Sequence, residues 1–265
     1  MFCKYLKLWN LTADGSPVTT PTSALLPVLS GDGPAMLKVA LLDEEKVGNE
    51  LMIWWKGEGA ARVLAHAENT ILMERAEAGI SLVDFAREGQ DDEASCTVCA
   101  VLRQLHRPRV HAPPALPSLA MWFEPLSRAA QEHGGILRVA AETALELLAS
   151  QYDVVVLHGD MHHGNVLRFG SRGWLAIDPK GLIGERGFDY ANIFCNPDDQ
   201  TAAMPGRLAR QISVVAKAAD LVPSRLLSWV LAWAGLSAAF SLEDGLAPNA
   251  ARLKIAELAA AELNR

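Results

Sequence analysis

Apolar and polar positions alternate in short blocks over the first third of the chain and settle into helical spacing beyond it. Residues 24–29 and 35–42 are two apolar runs, separated by the turn formers Ser30, Gly31, Asp32, Gly33 and Pro34. That pattern predicts a β-hairpin. One charged residue, Lys38, stands inside the second run. Asp43 is placed to cap a helix that runs to about Lys56, with Glu44 and Glu45 in the first turn, where the helix dipole favours acids. Gly57 and Gly59 stop it. Short runs at 62–67 and 70–75 read as two further strands, and 75–79 as a connector.

Past the connector the period becomes helical. Residues 91–105 place Cys96, Cys99, Val101, Leu102 and Leu105 at helical spacing. Pro108, Pro113, Pro114 and Pro117 mark a long loop. Residues 119–130 and 136–149 are predicted helices, 154–157 a short β-branched strand, and 166–169 with 174–177 a small hairpin around Gly170 and Gly173. From about Met204 the chain reads as mostly helical. Its most apolar stretch, 226–242, carries Ser228, Trp229, Trp233, Gly235, Ser237 and Ser241 and is short for a membrane span, so a buried helix is expected. The sum is an α+β protein with a small β-rich lobe, residues 1–76, and a larger, mainly helical lobe, residues 77–265. A cleft between two lobes is a common place for a ligand.

Composition narrows the function. Half of the 265 residues are hydrophobic and 21% are charged, as in ordinary globular proteins. A formal net charge of −7 argues against nucleic acid as a partner and suits a cationic ligand. Cys96 and Cys99 form a C-x-x-C with no second pair to complete a zinc site, so free thiols are expected. The first residues lack the long apolar segment of a signal peptide. A cytoplasmic monomer with no membrane attachment is the expectation.

The chemistry concentrates in residues 154–178. The strand Val154-Val155-Val156-Leu157 leads into His158-Gly159-Asp160, Asn165 follows five residues after Asp160, and Asp178 comes thirteen later. Phosphoryl transfer needs this set: one carboxylate to orient a hydroxyl and take its proton, and a carboxylate with an amide oxygen to hold Mg²⁺. Magnesium wants hard oxygen ligands, which Asp and Asn supply. The alternatives are that Asp160 and Asn165 only cap turns, or that His158, His162 and His163 bind a metal, although adjacent histidines point apart.

The order His-x-Asp-x-x-x-x-Asn with a later Asp follows the kinase pattern, with Gly159 in the Arg place and Asp178-Pro179-Lys180 where D-F-G would stand. In the form His158-Gly159-Asp160 it resembles the aminoglycoside phosphotransferase and choline kinase superfamily. The segments Trp54-Trp55-Lys56-Gly57-Glu58-Gly59, Gly173-Trp174-Leu175-Ala176-Ile177-Asp178-Pro179 and Gly184-Glu185-Arg186-Gly187-Phe188-Asp189-Tyr190-Ala191-Asn192 are similar to the streptomycin 6-kinases, also described as aminoglycoside and hydroxyurea resistance kinases. The likeness runs from about residue 17 to the C-terminus.

This resemblance implies a protein-kinase-like fold, ATP and Mg²⁺, and transfer of the γ-phosphoryl group to the 6-hydroxyl of streptomycin. Asp160 would be catalytic, with Asn165 and Asp178 as metal ligands. Lys38 would reach the phosphates and pair with a helix glutamate, Glu45 in preference to Glu50. Met73, Glu74 and Ala76 would line the adenine site, with buried core the plain alternative for Met73. Asp189 would brace the catalytic loop. For a substrate with two guanidinium groups, bidentate carboxylates are the natural partners, and Glu185, Asp198, Asp199 and Glu243 are candidates. Trp233 could wall the pocket. Each of these also reads as a surface acid or a core aromatic. No G-x-G-x-x-G precedes Lys38, and residues 19–23 stand in its place. The rival readings are a kinase of another small molecule, such as an amino sugar or a choline-like alcohol, and a non-catalytic nucleotide binder.

Overall fold

The computed structural model describes residues 1–264. Its first part holds α1 (Cys3–Leu8), β1 (Thr12–Ala13), β2 (Val18–Thr19), β3 (Ser23–Ser30), β4 (Gly33–Ala40), α2 (Asp43–Trp55), β5 (Val63–Ala67) and β6 (Thr70–Glu74). The strands form one antiparallel sheet in the order β1-β3-β4-β6-β5, with β2 also on β3. β3 and β4 pair from Ser23–Ala40 to Ser30–Gly33, the expected hairpin. Alternation along β4 gives the sheet two different faces. Ala35, Leu37 and Val39 join Leu26, Val28, Leu72 and Tyr5 in a small core under α1. Lys38, on the other face, points at α2.

Helix α2 begins at Asp43, but this residue is not its cap. The preceding Leu42 takes the extended cap position with no side-chain bond, and the Asp43 carboxylate accepts from Lys46 at 2.7 Å instead. Lys56 closes the helix at φ 51°, in the left-handed region, followed by Gly57 at φ 82°.

The larger part contains α3 (Leu82–Arg87), α4 (Asp91–Leu105), α5 (Leu119–Trp122), α6 (Glu124–His133), α7 (Gly135–Ala149), β7 (Val154–Leu157), β8 (Val166–Arg168), β9 (Trp174–Ala176), β10 (Leu182–Glu185), α8 (Phe188–Ala191), α9 (Asp199–Ala202), α10 (Arg207–Ala219), α11 (Pro223–Glu243) and α12 (Ala250–Leu263). The helix expected over 119–130 is broken at Phe123, because Pro125 has no N–H to continue α5 and sits in the first turn of a new helix. α1, α3 and β10 are too short to leave a periodic signal. Helix α11 is apolar and long enough to cross a membrane, yet 61% of its most apolar window is buried inside the protein. It packs on α7, α12, α8 and α6.

The two lobes are joined by backbone bonds close to Asp178 in the chain. Ala61 N–H donates to the Ala176 carbonyl and Ala176 N–H to the Gly59 carbonyl, each at 2.9 Å. The connector adds Glu77 N–H to the Arg168 carbonyl at 2.8 Å. The loop after α2 thus grips the β8–β9 hairpin two residues before Asp178. Trp55, Ile71 and Met73 belong to the large helical core, so packing crosses residue 76.

Candidate active site

β7 and β10 pair antiparallel and deliver the loop that starts at His158. Gly159 turns it at φ 86°, where a β-carbon would stand 3.1 Å from both Leu182 Cγ and Lys180 Cβ, so glycine is required. Asp189, on α8, braces the turn. Its carboxylate accepts from the N–H groups of His158 and Gly159, both at 2.8 Å, and contacts His106 Nε2 at 2.8 Å. This is the bracing that the resemblance implies. Local sequence does not mark His106, which lies 83 residues from Asp189 along the chain.

His158 links the two candidate acids. Asp160 N–H donates to its Nδ1 at 3.2 Å, so Nε2 carries the proton and donates to the Ile177 carbonyl at 2.8 Å. Burial holds this imidazole below its ordinary pKa, in keeping with a neutral ring. Both nitrogens are occupied, and among the described residues no group of three His, Cys, Asp or Glu could hold a metal. The histidine metal site is therefore set aside.

Asp160 is partly buried, and burial pushes its carboxyl up to about 7, with Lys180 acting in the opposite direction. Asn165 Nδ2 donates to the Asp160 carbonyl at 2.9 Å, which fixes the amide. Asp178 sits at φ 58°, a region that non-glycine residues seldom occupy. It is held by its neighbours: Ile177 N–H donates to the Asn165 carbonyl at 2.9 Å and Lys180 N–H to the His158 carbonyl at 2.8 Å.

Opposite stands Lys38, only 3% exposed. Its ammonium meets Glu45 Oε2 at 2.5 Å and also bonds Asp178 Oδ1. Burial raises the Asp178 carboxyl, but the Lys38 ammonium outweighs it and holds the group below the usual range. Glu45 is shared, because Lys180 Nζ reaches its other oxygen at 3.1 Å. Glu50 is exposed, which settles the choice between the two glutamates. Lys180 went unassigned in the sequence, although it stands two residues from Asp178. The turn between β2 and β3 lies at the start of the strand that pairs with Lys38, and Thr20 Oγ1 closes it by accepting from Ser23 N–H at 3.0 Å.

Several of the other expected residues are buried or already have partners. Met73 is core at 6% exposed. Glu74 Oε1 accepts from Arg62 N–H at 2.5 Å and pairs with Arg172, while Ala76 is half-buried. Glu185 requires a correction as a substrate ligand. It is 1% exposed and takes Arg225 at 2.6 Å and Trp229 Nε1 at 2.9 Å, so its carboxylate faces the core. Asp198 caps α9 through Thr201 N–H at 2.9 Å and pairs with Arg87 at 2.7 Å, and these bonds hold it at about 2. Asp199 accepts from Asn249 at 2.9 Å, Glu243 pairs with Arg128, and Arg252 lies 6.0 Å from the Trp233 ring centre.

A β-sheet lobe carrying a buried Lys–Glu pair, set on a helical lobe with an Asp–Asn loop and a second Asp, is the architecture of a protein-kinase-like phosphotransferase. The chain belongs to the aminoglycoside/hydroxyurea antibiotic resistance kinase family, whose profile it matches over residues 8–245. It is 51% identical over 245 residues to a streptomycin 3''-kinase of Klebsiella pneumoniae, covering 91% of this chain and 92% of that one. A streptomycin 6-kinase of Streptomyces griseus is 32% identical over 254 residues, 90% and 81% of the two chains. Among solved structures, the fold is similar to choline kinase from Cryptosporidium parvum (TM-score 0.66, 13% identity, 95% and 90% covered). It is also similar to aminoglycoside phosphotransferase APH(4)-Ia in a ternary complex with ADP and hygromycin B (TM-score 0.64, 15% identity, 98% and 95% covered).

Proposed function

We propose that this chain transfers the γ-phosphoryl group of ATP to a hydroxyl of streptomycin, with residues 1–76 as the nucleotide lobe. The observation that carries the reading is the buried Lys38–Glu45 pair in contact with Asp178, joined to Asp160 through His158. Asp160 takes the proton of the acceptor hydroxyl as its oxygen bonds to the γ-phosphorus. The bond from that phosphorus to the bridging oxygen breaks, and ADP leaves with the electron pair. Lys38 holds the nucleotide phosphates, and the Thr20–Thr22 turn covers them with hydroxyl and N–H groups. Asp178 and the Asn165 amide oxygen would hold Mg²⁺, an oxygen-only donor pair that suits this ion beside phosphates and that neutralises their charge. Met73, Glu74 and Ala76 border the adenine. Positioning and electrostatics provide most of the acceleration.

The resemblance to streptomycin 6-kinases implies the 6-hydroxyl. The 51% identity with the 3''-kinase of Klebsiella pneumoniae favours the 3''-hydroxyl, on the amino-sugar ring, and we adopt that position. The 6-hydroxyl is the second reading, supported by the relative from Streptomyces griseus at 32%. Asp199 and Trp233 are the acceptor-site candidates that follow Asn192 along the chain. Asp198 and Glu243 are weaker ones because Arg87 and Arg128 already hold them.

Coupled ADP release with and without streptomycin tests the activity, and phosphorus–proton NMR of the product reads the position. Streptidine alone, which has the 6-hydroxyl but no 3''-hydroxyl, should not be phosphorylated. Phosphorylated streptidine would return the assignment to the 6-hydroxyl. Release of ADP at the same rate without streptomycin would overturn the acceptor.

A further inference from the structure

The Asp160 carboxylate has a side-chain donor that neither the motif nor the family pattern used above assigns. Asn192 follows α8, is 3% exposed, and its Nδ2 donates to Asp160 Oδ1 at 2.9 Å. An asparagine amide can be turned either way, and only one orientation donates. Here the orientation is fixed from behind. Asn196 Nδ2 donates to Asn192 Oδ1 at 2.7 Å and to the Asn192 carbonyl at 2.9 Å. With Oδ1 of Asn192 committed as an acceptor, its NH₂ group must face Asp160.

Two layers of support therefore converge on the loop. Asp189 fixes its backbone through His158 and Gly159. Asn192 fixes the carboxylate itself, which the backbone bonds leave free to rotate.

We infer that Asn192 is a positioning residue for phosphoryl transfer: it engages Oδ1 of Asp160, turns Oδ2 towards the acceptor hydroxyl, and is itself oriented by Asn196. The inference rests on Asp160 being the group that receives the hydroxyl proton. Because Asn192 is buried and acts through Asp160, its loss should reduce kcat and leave both binding steps alone. A carboxylate free to rotate loses alignment, and general-base alignment is worth roughly 10- to 100-fold here.

The test compares Asn192→Asp, Asn192→Ala and Asn196→Ala with Asp160→Ala in the full chain. Asn192→Asp keeps shape and size but replaces the donor with an acceptor. Expected results are at least a tenfold fall in kcat for both Asn192 variants, a smaller fall for Asn196→Ala, and KM for acceptor and nucleotide within twofold of the parent. Melting temperatures should stay within a few degrees. An Asn192→Asp protein with kcat within twofold of the parent overturns the inference. So does a fall in kcat that comes only with weakened nucleotide binding, or loss of the folded state in both Asn192 variants, since Asn192 would then be holding the fold. An active Asp160→Ala protein removes the underlying reading instead. An inactive Asp160→Ala protein beside unimpaired Asn192 variants removes only this inference.

Discussion

Gly48 and the Pro179 carbonyl oxygen are so close that a β-carbon on residue 48 would stand 2.1 Å from that oxygen. Helix α2, which carries Glu45, thereby rests directly on the segment that carries Asp178 and Lys180. In an ordinary helix interior, glycine to alanine stabilises by roughly 0.5–1 kcal/mol. Here Gly48→Ala must push α2 off Pro179, and forcing extra atoms into packed space costs about 1–3 kcal/mol. The expected outcome is a lower urea midpoint together with a raised KM for ATP, because the contacts of Glu45 with Lys38 and Lys180 are pulled apart. A variant more stable than the parent would contradict the contact.

Asp160 gives a stability prediction with a definite sign. Its carboxyl titrates at about 7 in the folded protein and at about 3.9 in an unfolded chain. As pH rises, the unfolded chain loses this proton first, so the native state loses stability between about pH 4 and 7. Asp160→Asn, which cannot ionise, should be inactive and yet more stable than the parent at pH 8, by on the order of 2–4 kcal/mol. The advantage should vanish below about pH 4. Melting curves of the two proteins across pH read it directly, and equal curves at pH 8 would refute it.

Glu185 should prove to be a folding residue. Glu185→Ala leaves the buried Trp229 N–H without its acceptor, at a cost of about 1–3 kcal/mol. Arg225 loses its carboxylate but is partly exposed and keeps its bonds to Ser150 and the Leu147 carbonyl. Denaturant unfolding should show a loss of that order. Acceptor KM at a temperature where the variant is folded should stay within twofold of the parent. A large KM change without a stability loss would restore Glu185 to the acceptor site.

The four cysteines should divide into two pairs. Cys3 and Cys96 are exposed, whereas burial pushes Cys99 to about 12 and Cys195 to about 11. Only the thiolate reacts, so a thiol-specific chromogenic reagent at pH 8 should titrate two groups quickly. The other two should appear only in denaturant. Three or four fast thiols in the native protein would contradict the burial of Cys99 on α4 and of Cys195.

Much of this molecule is legible in the sequence because its signals are local. The β3–β4 hairpin, α2, α4 and the β8–β9 hairpin are marked by turn formers and by a period that a window of ten residues reveals. The phosphotransferase loop is legible for the same reason, since Asp160, Asn165 and the approach to Asp178 keep their spacing along one stretch of chain. The place of Glu45 in the first turn of α2 marks it as the glutamate nearer the end of β4, and it is the one that pairs with Lys38.

The sequence by itself determined the class of chemistry, the two-lobed plan and the lysine that pairs with a glutamate of α2. Only the tertiary structure decided that this lysine also meets Asp178, which acids are already engaged, and which side chain bonds the Asp160 carboxylate. Glu185 looks like any acid beside a motif until Arg225, forty residues further along the chain, and Trp229 enclose it. Asn192 looks like a helix-end residue until the fold brings it against Asp160 and Asn196 fixes its amide. The physical reason is common to both. A side chain's charge and hydrogen-bonding capacity belong to its residue type, but whether that capacity faces water, a ligand or another side chain is set by contacts between distant segments, which local spacing does not encode.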